Sequence, residues 1–217
     1  MNNCDVVNVH KRLVIIGASG HGKVVADTAI KMGTYNDIVF LDDNTSIHSC
    51  MCIPIVGRSD DIPFYIKDSD FFVAIGNAET RQRIFEKLKK SGAAIATLIH
   101  PDAVIGTNVK IGKGTVVMAG AVINSETEIG EGCIINTSSS VDHDCLICDY
   151  VHISVGAHVA GTVVIGSRTW LGIGAVISNN LSIVSDCVIG AGAVVVKSIT
   201  ESGTYIGIPA SQMEIGK

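Results

Sequence analysis

From residue 99 to residue 195, every sixth position is Ile, Val or Leu: Ile99, Ile105, Ile111, Val117, Ile123, Ile129, Ile135, Val141, Ile147, Ile153, Val159, Ile165, Leu171, Ile177, Ile183, Ile189 and Val195. No insertion breaks the series. Two residues before each aliphatic stands a mostly small side chain, such as Ala103, Thr115, Cys133, Ser139, Cys145, Ala175 or Cys187. Gly commonly opens the unit, as at Gly106, Gly112, Gly130 and Gly166. A period of six is neither the 3.6 of a helix nor the 2.0 of a simple strand. It fits a short strand plus a turn at fixed length, the signature of a β-helix. Three units close a triangular coil, so residues 99–195 are expected to build about five coils with all seventeen aliphatics turned inward.

The first third of the chain has a different pattern. Leu13-Val14-Ile15-Ile16 runs into Gly17-Ala18-Ser19-Gly20-His21-Gly22, and a helix is expected from Lys23 to Met32. Ile38-Val39-Phe40-Leu41 ends in Asp42-Asp43, and Phe71-Phe72-Val73-Ala74-Ile75 ends in Gly76-Asn77. A second amphipathic helix is expected from Glu79 to Ser91, then a last strand from Ala96 to Ile99. Strands alternating with helices argue a small, Rossmann-like parallel sheet whose strand ends open on one edge. The chain thus divides into an α/β unit (1–97) and an all-β helix with a C-terminal tail (98–217).

Composition agrees. The 217 residues suit one large or two small domains. They are 47% hydrophobic but only 5% aromatic and 17% charged, with 23 Gly, which leans toward β-structure and excludes disorder. A net charge of −5 leaves no basic footprint for nucleic acid. No apolar run approaches the roughly 18 residues of a membrane span, and the first twelve residues do not read as a signal peptide, so a cytoplasmic protein is expected. The seven cysteines are expected to be reduced. Cys133, Cys145 and Cys187 occupy the small interior slot, and Cys50-Met51-Cys52 has no second pair at a structural-zinc spacing.

Three places carry candidate chemistry. The Gly17–Gly22 segment is not the G-x-G-x-x-G fingerprint; it is either a tight turn or a phosphate cradle at a helix N-terminus. Asp42 and Asp43 are either a solvated turn or acceptors for a ribose or base. His143 sits in a turn between Asp142 and Asp144, where a carboxylate can fix its tautomer and raise its basicity, as a general base requires. His152 and His158 each precede an inward aliphatic and so face outward. His152 lies nine residues after His143, one and a half faces of a coil, so the two can share a site only across a subunit boundary. Trp170, one coil above His152, reads as packing between subunits.

Taken in order, Gly17-Ala18-Ser19-Gly20-His21-Gly22, Leu41-Asp42-Asp43, Ala74-Ile75-Gly76-Asn77, Asn136-Thr137-Ser138-Ser139, His143-Asp144-Cys145 and His152-Ile153-Ser154-Val155-Gly156-Ala157 resemble the sialic-acid O-acetyltransferase-like family of hexapeptide-repeat acyltransferases. Within it they are most similar to bacterial UDP-4-amino-sugar N-acetyltransferases of the bacillosamine pathway. The resemblance covers residues 12–213 and implies a left-handed parallel β-helix and a homotrimer with sites between subunits. It implies His143 as general base and Asp144 as the acid that raises its basicity. Asn136, His152, Ile173 and Ala191 would bind acetyl-CoA, and Ser19, Gly20, His21, Asp42, Asp43 and Gly76 the UDP-sugar. No metal, nucleic acid or membrane is implied. Cys148 departs from the Gly usual at its repeat position.

The implied reaction is acetyl transfer from acetyl-CoA to the 4-amine of a UDP-linked amino-dideoxy sugar, by direct attack. A hydroxyl acceptor of sialic-acid type and a GDP-linked amino sugar remain alternatives, since nothing in the residues reads uracil against guanine. A trimeric zinc hydratase would need an H-x4-H spacing that is missing here. A non-catalytic nucleotide-sugar module is the remaining rival.

Overall fold

The computed structural model describes residues 12–213. Most of the segment read for a leader, with Cys4, therefore lies outside the described residues, as do the last four of the tail. The first part runs β1 (Arg12–Ile16), α1 (Gly20–Met32), β2 (Asp37–Leu41), β3 (Ser49–Cys50), β4 (Ile53–Gly57), β5 (Ser69–Val73), α2 (Ala78–Lys90) and β6 (Ala94–Ile95). One sheet forms in the order β3-β4-β2-β1-β5-β6, parallel except for β3. Leu13 to Ile16 are buried without alternation, as expected of a central parallel strand covered on both faces. The order reverses between β1 and β5, so the loops that follow those strands diverge and leave a crevice at the carboxyl edge.

Two details differ from the sequence pattern and a third adds to it. Helix α1 starts at Gly20 rather than Lys23, because Gly22 lets the first turn fold onto the β1 loop; a Cβ there would run into the carbonyl oxygen of Gly17. The strand expected from Ala96 to Ile99 splits. Ala96 N–H closes the sheet on Phe71 O (2.9 Å), and Leu98 N–H opens the β-helix on Thr115 O (3.0 Å). Cys50-Met51-Cys52 is the bend of the β3–β4 hairpin, with positive φ at both Met51 (54°) and Cys52 (62°), as a type I′ turn requires.

The left-handed parallel β-helix has three faces. The first stacks Leu98–Ile99, Val116–Val117, Ile134–Ile135, His152–Ile153, Trp170–Leu171 and Val188–Ile189, and Thr204–Ile206 continues it. The second stacks Val104–Ile105 through Val194–Val195, and the third Lys110–Ile111 through Ser182–Ile183. Each strand pairs with the one 18 residues on, as in Ile134↔His152 and His152↔Trp170.

From Val117 onward every aliphatic of the series is buried, and Cys133, Cys145 and Cys187 fill interior slots beside them. The expectation for all seventeen fails at the first coil: Ile99 and Ile111 are half-buried and Ile105 is 37% exposed. That coil is stacked on one side only. Among the described residues no helix is long and apolar enough to cross a membrane.

A backbone device makes each corner. From Asn108 to Gly192, every sixth residue has a positive φ between 55° and 70°. Six of these fifteen positions are Gly, and nine are not, among them Thr162 (φ 59°). The left-handed region costs an L-residue roughly 1–2 kcal/mol, most for a β-branched side chain. Thr162 is exposed, so removing its side chain forfeits little packing. Thr162→Gly should therefore stabilise the fold by about 0.5–1 kcal/mol after the entropic cost of glycine. A higher denaturant midpoint checks this; an unchanged or lower one would mean that the corner is unstrained.

Candidate active site

The loops after β1 and β5 flank the crevice. Gly17 (φ 105°) cannot be replaced without a clash, since a Cβ would lie 2.9 Å from Ala74 O. Gly20 and Gly76 are different: a side chain at either would meet nothing within 4 Å. The fold itself requires Gly17 and Gly22, whereas Gly20 and Gly76 leave backbone open on both walls of the crevice. The two helix starts there also differ. Asn77 caps α2 by accepting from Thr80 N–H (2.9 Å). Ser19, at the start of α1, makes no side-chain cap, and no acidic residue follows in the first turn. The leading N–H groups and positive dipole end of α1 thus face the crevice uncapped, an arrangement suited to a phosphate.

Asp42 and Asp43 stand at the end of β2, and both carboxylates are engaged within the chain. Asp42 Oδ2 accepts from Ala18 N–H (2.7 Å) and Oδ1 from Asn44 N–H (2.8 Å). Asp43 accepts from Ser59 N–H (2.9 Å) and Ser59 Oγ (3.0 Å), which hold its carboxyl below the usual range.

His21 leaves the first turn of α1 toward the β-helix, where it meets His152 of the first face, ring centroids 6.5 Å apart. Trp170, one coil on, stacks against His152 from the other side (6.3 Å, 27°), its indole N–H donating to Ser154 Oγ (2.6 Å). Asn136 completes the group. Its Oδ1 accepts from Thr137 N–H (2.8 Å), which orients the amide so that Nδ2 donates to His152 Nε2 (3.2 Å). For a neutral ring this places the proton on Nδ1. His152, Trp170 and Val188, together with Gly76, Asn77 and Glu79, line a cavity of about 570 Å3 between α2 and the first face. Ile173 and Ala191 are exposed one coil apart on the corner past this face, in the column that also holds Thr137 and Val155.

His143 lies elsewhere, on the corner between the second and third faces, so one chain does not bring it to the His21–His152 cluster. Its Nδ1–H donates to Asp144 Oδ2 (2.7 Å), and Asp144 takes the left-handed corner conformation (φ 57°). Asp142 accepts from Asn124 Nδ2 (2.8 Å) and from His143 N–H (2.9 Å). The Asp144 hydrogen bond, then the Asp142 charge, push the His143 pKa above the ordinary imidazole value. Nε2 has no hydrogen-bond partner among the described residues and lies over Gly161, where a Cβ would approach it to 2.6 Å. Cys145 points inward, its thiol pushed up by burial, and so is no rival nucleophile.

The sequence pattern left Arg81 unremarked. It is fully buried, and its four described hydrogen bonds all go to backbone carbonyls: Nη1 to Ile75 (2.9 Å) and Gly76 (2.7 Å), Nε to Gly132 (2.7 Å), Nη2 to Tyr150 (2.7 Å). The signal was present as a cation at the head of the stripe Arg81, Ile84, Phe85, Leu88 on α2. Burial draws its pKa down to about 10, so it remains charged at neutral pH. Trp170, read as packing between subunits, walls the cavity within this chain and is still 47% exposed. Among the described residues no group of three or more His, Cys, Asp or Glu is placed to hold a metal.

Burial, then the charge of Arg81, pull His21 down to about 4 and His152 to about 3. Unfolded, each ring binds a proton below about 6.5. Stability should therefore be complete above pH 6.5 and fall with acid, by about 1.4 kcal/mol per pH unit for each ring kept neutral. Chemical unfolding at pH 6.5 and 4.5 should show a steeper loss for the wild type than for His152→Gln; equal slopes would mean that His152 takes up its proton in the fold.

Residues 12–88 match the family model described as the PglD N-terminal domain. A 112-residue stretch, half of this chain, is 34% identical to the UDP-N-acetylbacillosamine N-acetyltransferase of Bacillus subtilis (strain 168), and spans about half (52%) of that curated relative. The acetyltransferase domain of PglB from Neisseria gonorrhoeae FA1090, solved in complex with acetyl coenzyme A, superposes with a TM-score of 0.91 at 41% identity, covering 93% of this chain and 98% of that one. PerB from Caulobacter crescentus, in complex with CoA and GDP-perosamine, superposes with a TM-score of 0.88 at 36% identity, covering 93% and 97%. The chain therefore belongs to the hexapeptide-repeat acyltransferases that carry a PglD-type N-terminal domain.

Proposed function

We propose that this protein is a cytoplasmic, homotrimeric acetyltransferase that moves acetyl from acetyl-CoA to the 4-amine of a UDP-linked amino-dideoxy sugar. The observation that carries the reading is His143: an outward imidazole with Nδ1 held by Asp144 and Nε2 without a partner among the described residues. Residues 1–97 hold the nucleotide sugar, with the α1 N-terminus at Ser19, Gly20 and His21 toward the diphosphate and Gly76 on the opposite wall. Asp42 and Asp43 shape that site and stand near the nucleoside. Residues 98–217 hold acetyl-CoA, its thioester beside Asn136 and His152 and its pantetheine along Ile173 and Ala191. His143 of a neighbouring subunit reaches this junction, because within one chain it lies on another corner.

The amine nitrogen attacks the thioester carbonyl carbon while His143 Nε2 removes its proton. The second N–H of Asn136 Nδ2 is available to the developing oxyanion. The tetrahedral intermediate collapses to the amide and expels the CoA thiolate, which recovers the proton from imidazolium.

A GDP-linked amino sugar is the second reading, supported by the similarity to PerB in its complex with GDP-perosamine. Release of CoA thiol with UDP-, GDP- and CMP-linked sugars, each with and without a 4-amine, tests both. The expected result is turnover only with the UDP-linked amine. Preference for GDP would overturn the nucleotide, and turnover of the hydroxyl sugars would overturn the amine.

His143→Ala should lower kcat by roughly 10²–10⁴-fold while both substrates still bind. Wild-type activity should fall with acid through an apparent pKa above the ordinary imidazole value. Asp144→Asn should move that midpoint downward, since it removes the largest cause of the rise. A His143→Ala enzyme retaining more than about a tenth of wild-type kcat at pH 7.5 would place the base elsewhere.

A further inference from the structure

Two different forces join the α/β part to the β-helix. The first is apolar: Leu13, Val25, Ala26, Ala29 and Phe72 form one cluster with Leu98, Val116 and Ile134 of the first face. Such contact is non-directional and fixes no register. The second is Arg81. Its planar guanidinium needs several acceptors at set angles, and it takes them from both parts at once. Ile75 and Gly76 belong to the crevice wall, while Gly132 and Tyr150 lie in successive coils of the β-helix, each two residues before a strand: Ile134–Ile135, which leads into Asn136, and His152–Ile153. Among the described residues, the other side-chain hydrogen bonds of α2 to the β-helix are looser or more exposed: Gln82 to Arg168 (3.4 Å), Glu86 to Tyr150 (3.1 Å) and Lys89 to Glu131 (2.7 Å).

We infer that Arg81 is a positioning residue, which registers the Ile75-Gly76 wall of the nucleotide crevice against the Asn136–His152 pair and so sets the distance between acceptor and donor. The inference rests on the two ligand assignments proposed above. The apolar cluster keeps the parts docked without Arg81; what its loss removes is alignment. A misplacement of about 1 Å between reacting groups can cost on the order of 100-fold in rate.

The test uses Arg81→Lys, which keeps the charge but cannot span four carbonyls, in the full-length protein. The expected result is an unchanged circular dichroism spectrum, Kd values for CoA and for UDP each within about threefold of wild type, and kcat on the nucleotide sugar at least about 30-fold lower. Acetylation of the same amino sugar without its nucleotide, at high concentration, should be nearly unchanged, because that acceptor does not use the crevice. Equal loss of both reactions, or wild-type kcat on the nucleotide sugar, would overturn the inference.

Hydrogen exchange separates this from a failure of the proposed activity, because it needs no turnover. Amides of Ala74 and Thr80, which are bonded to Ile16 O and Asn77 Oδ1 on either side of the Ile75-Gly76 wall, should exchange faster in Arg81→Lys while those of α1 and the outer coils do not, and unchanged protection would overturn the inference whatever the enzyme acetylates. Arg81→Gln serves if the lysine variant does not fold. A chain that folds with neither overturns the inference in favour of a purely structural role.

Discussion

The fold depends on a backbone that must turn a corner every six residues. Each corner needs one residue in the left-handed region, and the chain accepts the strain at nine positions that are not Gly. Strand pairing 18 residues apart returns the compensation, since each strand of the inner coils is bonded to the coil before it and the coil after it. The placement of chemistry follows by counting. His143 falls on one corner, His152 on a face, and Thr137, Val155, Ile173 and Ala191 form one column. A catalytic group on this scaffold is located by its residue number modulo eighteen, with little freedom to drift.

The α/β part has no such ruler, and its relation to the solenoid is set by contacts that are distant in sequence. Hydrophobic area holds the parts together. A cation deprived of water, with backbone carbonyls as its described partners, is tolerable only while those carbonyls stay in place. Removing either part would leave that charge buried and unsatisfied or force it into solvent. The same charge helps keep two nearby imidazoles neutral, so one side chain shapes both the geometry and the electrostatics of the junction.

The β-helix was legible because its information is local: a six-residue period is visible in any stretch of thirty residues, and the inward Cys145 follows from it. The exposed Ile105 was not, since the period cannot say that a coil has a neighbour on one side only. The Gly17–Gly22 turn and the His143–Asp144 pair were legible for the same local reason. The meeting of His21, His152 and Trp170 was not, because it depends on how α1 packs against a coil some 130 residues away. Arg81 was visible only as an anomaly on an apolar stripe. Its meaning lies in carbonyls of Gly132 and Tyr150 that no pattern around residue 81 announces.

The bond between Asp42 and Ala18 has a consequence for binding. The β1 loop is already fixed by the carboxylate of the next strand and by the close fit of Gly22 on Gly17. Its conformational entropy is surrendered during folding, before any anion arrives. A ligand entering this crevice meets a preorganised wall and loses little affinity to loop ordering. Related nucleotides should then associate at similar rates and differ mainly in residence time, so discrimination between them is expressed as they leave rather than as they enter.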